Sequence, residues 1–188
     1  MFSANNILQT IGYLLSLNDN KMNLLKLMKE LYLIDRLSIK ETNFSLSGDE
    51  YFSLKHGPVL SATKNLLEDL GRDREKNHWD KFLKKEESKY YPNIILINDT
   101  DTDYLCEKDR EYIETISNEF KNYNEWDIEE YTNNLSEWKN PCGSSKKIRY
   151  KDVMLALGKT EEEIAIVKNE YEVLNDLASL SDKLNINE

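Results

Sequence analysis

Along the N-terminal part of the chain the apolar positions recur every three to four places, the spacing of helices that bury one face. Residues 4 to 18 set Ile7, Leu8, Ile11, Leu14 and Leu15 on one stripe, which predicts a first helix. Asp19-Asn20 offers a turn and a cap. The next run contains Leu24, Leu25, Leu27, Met28, Leu31, Tyr32, Ile34 and Leu37. Its apolar positions reach so far around the helix that the element should be central and largely buried.

The pattern then changes. Asn43-Phe44-Ser45-Leu46 and Glu50-Tyr51-Phe52-Ser53-Leu54 are short and aromatic and flank Ser47-Gly48-Asp49, which predicts a small hairpin or extended excursion. In His56-Gly57-Pro58-Val59, Gly57 permits an unusual backbone angle and Pro58 suits the first position of a helix, expected over about 58 to 71. Residues 77 to 84 read as a short helical turn carrying Trp79 and Phe82, and Tyr90 to Ile97 as a strand with a brief apolar run. Helical spacing returns over about 106 to 122, with Tyr112, Ile113, Ile116 and Phe120, and over 125 to 136, with Ile128, Tyr131 and Leu135. Asn140 to Ser145 breaks the chain. A short helix near 149 to 157 follows, then a longer one from 161, announced by Gly158 and the capping box Thr160 to Glu163. The expected fold is mainly α with a small β-hairpin or sheet element. It forms a compact helical domain over 1–157 with a C-terminal helical segment over 158–188.

Composition narrows the function. A formal net charge of −10 and a pI near 4.9 make most of the surface repel a nucleic-acid backbone, so no nucleic-acid partner is expected. The longest basic run, Lys146-Lys147-Ile148-Arg149, is short and reads as a solvated turn. No signal peptide and no long apolar stretch is visible, which predicts a cytoplasmic protein with no membrane partner. Cys106 and Cys142 form no paired motif, and the only histidines, His56 and His78, lack ligand spacing, so neither a disulfide framework nor a metal is expected. The acidic loop 98–103 lacks the glycine and distal glutamate of a calcium loop. No phosphate-cradling loop and no serine-nucleophile context appears, so no cofactor and no catalytic residue is expected.

Some polar residues stand out all the same. Lys26, Lys29, Asp35 and Arg36 lie on the most apolar helix, where a charge marks an ordinary surface pair, a buried pair or an interface. His56 precedes the expected helix start, where backbone N–H groups could assist contact with an anion or partner. Eleven tyrosines and three tryptophans tilt the composition toward protein recognition.

The segment Leu25 to Arg36, with its lysine, leucine and tyrosine pattern, followed by Gly48-Asp49-Glu50-Tyr51 and His56-Gly57-Pro58-Val59, resembles the Panacea domain, the SocA-like antitoxin family. The helical pair before Trp138 is similar to the family's second half, and the resemblance covers roughly residues 5 to 157. A histidine that the family places shortly before that tryptophan is missing here. The resemblance implies an antitoxin of a bacterial or prophage toxin–antitoxin system that neutralises a cognate protein toxin by direct binding, and not an enzyme. It leaves two alternatives: a proteolytic adaptor that delivers the toxin to a Clp-type protease, or an unrecognised enzyme acting on the toxin. The residues expected to serve the partner are Lys26, Lys29, Tyr32, Asp35, Arg36, Tyr51, His56, Gly57 and Pro58.

Overall fold

A computed structural model describes residues 2–71, 78–170 and 173. Helix α1 (Ala4–Ser16) starts at Ser3, whose hydroxyl accepts the amide of Asn6, and buries the predicted stripe of Ile7, Leu8, Ile11, Leu14 and Leu15. Asp19 and Asn20 both take positive φ and turn the chain into a short strand, β1 (Lys21–Asn23). The cap of the next helix is therefore Asn23, whose Oδ1 accepts the Leu25 amide at 2.9 Å, and not the earlier pair. Helix α2 (Leu24–Thr42) is buried almost all round, as the wide apolar run requires, and ends on Asn43 in the left-handed conformation.

Around α2 stand two small antiparallel sheets. In one, strands β2 (Tyr51–Leu54) and β3 (Gly57–Leu60) form a hairpin around Lys55-His56, and β6 (Lys146–Ile148) lies on the far side of β2. In the other, β1 pairs with β5 (Asn93–Leu96), and β5 with β4 (Leu83–Glu86). The order is β3-β2-β6 and β1-β5-β4. The remaining helices are α3 (Ser61–Glu68), a 3-10 turn (His78–Lys81), α4 (Glu107–Glu119), α5 (Glu125–Asn133) and α6 (Tyr150–Ala156), with a further helix, α7, over the described residues 161–170. Among the described residues no helix is long and apolar enough to cross a membrane.

The fold is mainly α with small sheets, and several boundaries differ from expectation. Residues 57 to 60 extend the hairpin, and the helix begins only at Ser61, because Pro58 and Val59 pair with Ser53 and Phe52 instead of starting a helical turn. The hairpin turn lies at Lys55-His56 and not around Ser47-Gly48-Asp49, a loop held by side-chain hydrogen bonds. The expected helical turn at 77 to 84 forms over His78–Lys81, and its last two positions, Leu83 and Lys84, belong to strand β4. The basic run, read as a solvated turn, is edge strand β6; there Lys147 pairs with Glu50 at 2.5 Å. Beside it Arg149 pairs with Asp152 at 2.7 Å. The capping box at 160 forms: the Thr160 amide donates to Glu163 at 2.7 Å and the Glu163 amide to Thr160 Oγ1 at 3.2 Å. The part of the C-terminal segment beyond 170, except residue 173, lies outside the described residues.

One close approach locks the helical layer. A Cβ on Gly12 would meet Thr100 Oγ1 at 2.0 Å, so α1 can lie against the loop before α4 only with glycine at that position.

Candidate functional site

Because α2 has almost no solvent face before its exposed last turn, the polar side chains ahead of that turn must find a partner inside the protein or bear the cost of desolvation. Most of them reach other segments of the chain. The Lys26 ammonium donates to the carbonyls of Phe120 at 3.0 Å and Tyr123 at 2.8 Å, closing the C-terminal end of α4 where helix carbonyls lack partners. Glu30 lies 3.6 Å from that ammonium, beyond hydrogen-bond reach, and neither of its oxygens has a hydrogen bond among the described residues. Burial pushes its carboxyl up to about 7, with Lys26 pulling the other way.

One turn along, Lys29 is fully buried and donates to the Pro58 carbonyl at 2.9 Å. Burial pushes its amine down to about 7, against the pull of the Glu129 carboxylate. An amine that titrates near neutrality is a nucleophile when a substrate can reach it. This one is covered by Gly57, whose φ is +94° and whose Cβ, if present, would sit 2.7 Å from Lys29 Nζ and 2.9 Å from Asn133 Oδ1. The glycine of the His56-Gly57-Pro58 block therefore makes room for the ammonium as well as for an unusual backbone angle.

Asp35 organises the loop before β2. It accepts the Ser47 amide at 2.7 Å, the hydroxyls of Ser45 at 2.9 Å and Ser47 at 2.8 Å, and the Tyr51 phenol at 2.6 Å. Burial raises its carboxyl above the ordinary value, and these donors pull it back. The same burial, with Asp35 as the nearest charge, pushes the Tyr51 hydroxyl well up. Tyr32 donates to Glu137 Oε1 at 3.0 Å, and Arg36 Nε donates to the same oxygen at 2.7 Å. Glu137 is buried, and the residues after it fasten to the hairpin: Trp138 Nε1 to the Leu54 carbonyl at 3.1 Å and the Lys139 amide to Ser53 Oγ at 3.2 Å.

The structure thus places Lys29, Tyr32, Asp35, Tyr51, Gly57 and Pro58 in the interior and leaves Lys26, Arg36 and His56 half-buried. His56 occupies the hairpin turn and not the start of a helix, since the strand continues past it; its Nδ1 lies 2.9 Å from Glu129 Oε1. All but His56, whose partner Glu129 lies on α5, converge on α2 without forming one cleft. They join α4, the hairpin, the loop at 45–51 and the strap at 137–139 to one helix.

The family profile described as "Antitoxin SocA-like, Panacea domain" matches residues 27–139. The chain belongs to this family. No curated protein and no solved structure matches it. The matched span includes the α2 polar residues from Lys29 onward, the hairpin and Glu137 to Lys139, so the SocA-like motif residues are largely the ones that fasten this fold together.

Three further residues escape the sequence reading. Asp49 caps α3 from outside, accepting the amides of Ala62 at 3.0 Å and Thr63 at 2.8 Å, because the residue at the helix start, Leu60, has no polar side chain. Glu137 answers the charge of Arg36; the signal was the demand for a buried acid that a basic residue on a buried helix creates. Trp126, exposed on α5, carries no periodicity signal at all.

Proposed function

We propose that this chain is an antitoxin that neutralises a cognate protein toxin by direct, stoichiometric binding in the cytoplasm. Family membership carries the reading, since the SocA-like antitoxin domain takes in the hairpin, α4, α5 and most of α2. The disposition of charge supports it: Lys29, Glu30 and Asp35, charged groups whose titration burial shifts, serve internal hydrogen bonds or lie sealed from solvent. On this reading the chain acts by occupancy, without turnover.

The test is co-expression with the protein encoded beside it, followed by a pull-down and titration of protection against antitoxin dose. Protection should track a complex of fixed stoichiometry. Protection by substoichiometric antitoxin with no complex recovered would sink the reading. Protection lost in cells lacking a Clp-type protease, with the complex still formed, would replace occupancy by delivery.

A further inference from the structure

Helix α5 buries one side, Ile128 and Thr132, and turns the other to solvent. At 100° per residue, Trp126 and Glu130 are one turn apart on that outer side, and Asp127 and Tyr131 lie next to them. Trp126 is 41% exposed, Tyr131 39% and Tyr123, just before the helix, 38%. Tyr90 and Tyr91 extend the aromatic surface, with ring centroids 5.7 and 6.1 Å from Trp126. The buried ring of Phe120 holds Tyr123 and Tyr131 edge-on at 5.0 and 4.9 Å, so both are set in place before any partner arrives.

Carboxylates stand among these rings. Tyr123, Asp127, Glu130, Tyr131 and Asn134 bound a shallow concavity of about 400 Å³. Glu130 has no ion-pair or hydrogen-bond partner for its side chain among the described residues. Aromatic faces and carboxylates both attract cations, and guanidinium groups satisfy both at once. A second copy of this chain would bring the same acidic face and be repelled, as would nucleic acid. The complementary occupant is a protein surface bearing arginine or lysine.

We propose that the solvent face of α5, with Tyr123 and Tyr90 at its margins, docks the toxin through basic side chains seated between these rings and carboxylates. This rests on the antitoxin reading. The face contains none of the buried α2 residues, which are held to their internal partners and have little surface to offer.

The experiment measures affinity between this chain and the protein encoded beside it, purified from the co-expressed pair, at low and high salt. Glu130→Lys, on an exposed position, should weaken binding at least about tenfold at low salt and reduce its salt dependence. Trp126→Ala should weaken it by a similar factor with folding intact by circular dichroism. Glu162→Lys, a charge reversal on α7, should change it less than about twofold. If wild type binds and both α5 variants bind within about twofold of it, the docking face is overturned while the antitoxin reading stands. Absence of binding by wild type overturns both. Self-association of the wild-type chain that Trp126→Ala abolishes would make the occupant a second copy and also overturn the proposal.

Discussion

Helices α2 and α5 both set charged groups beside aromatic rings, but on opposite sides of the protein surface. In α2, Lys29, Glu30, Tyr32 and Asp35 are buried, and all but Glu30 hold hydrogen bonds to other segments. In α5, Trp126, Glu130 and Tyr131 face solvent. The same residue chemistry therefore meets two fates: in a dry interior a charge fixes how segments are joined, and at a wet surface it stays open to solvent. The contrast also shows how motif residues on α2 can hold the fold together while offering little surface of their own.

The interior half of the comparison breaks most severely at Asp35. Asp35→Ala should cost about 3–5 kcal/mol, since it strands the Ser47 amide and the Tyr51 phenol in the core. Urea unfolding checks this, and a loss under about 1 kcal/mol would mean that the loop finds other partners. Gly57→Val comes next at about 2–4 kcal/mol, from the positive φ together with the collision against Lys29 Nζ and Asn133. A thermal melt of Gly57→Ala should show the same direction with a smaller loss.

Buried titration sharpens the comparison further. Glu30 is raised from 4.5 to about 7 in the folded state, so its contribution to stability is full below the unfolded value and is lost as pH climbs through 7. Lys29 is lowered from 10.5 to about 7, so its contribution is full above the unfolded value and is lost as pH falls toward 7. Together they place a minimum near neutrality in this part of the stability profile. Glu30→Gln should gain stability relative to wild type between pH 5 and 8, by an amount on the order of 1–3 kcal/mol. A pH-independent difference would show that Glu30 is hydrated. The surface half predicts small effects on folding: Trp126→Ala about 1 kcal/mol or less, and Lys64→Ala, which removes an i,i+4 pair with Glu68, about 0.5 kcal/mol or less.

Much of the helical layout was legible in the sequence because periodicity and caps are local. The stripe of α1, the near-total burial of α2 and the box at Thr160 all follow from residues within a few positions of each other. The lysines and acids of α2 were visible as anomalies, yet their partners were not, since Lys29 meets Pro58, and Arg36 meets Glu137 across a long stretch of chain.

Strands β1, β4 and β6 show the other limit. Lys21–Asn23 and Lys146–Ile148 are too short and polar to announce themselves, and become strands because Asn93–Leu96 and Tyr51–Ser53 supply an edge. Asp49 is a helix cap only because the hairpin carries it to α3, and Trp126 is a surface residue only because Ile128 and Thr132 take the buried side of α5. The sequence by itself determined which segments coil and which helix is central, because backbone hydrogen bonding and apolar spacing act within a turn or two. Which charges are sealed, which strands pair and which aromatics face water was decided only by tertiary structure, because those outcomes depend on neighbours that the chain brings together from far apart.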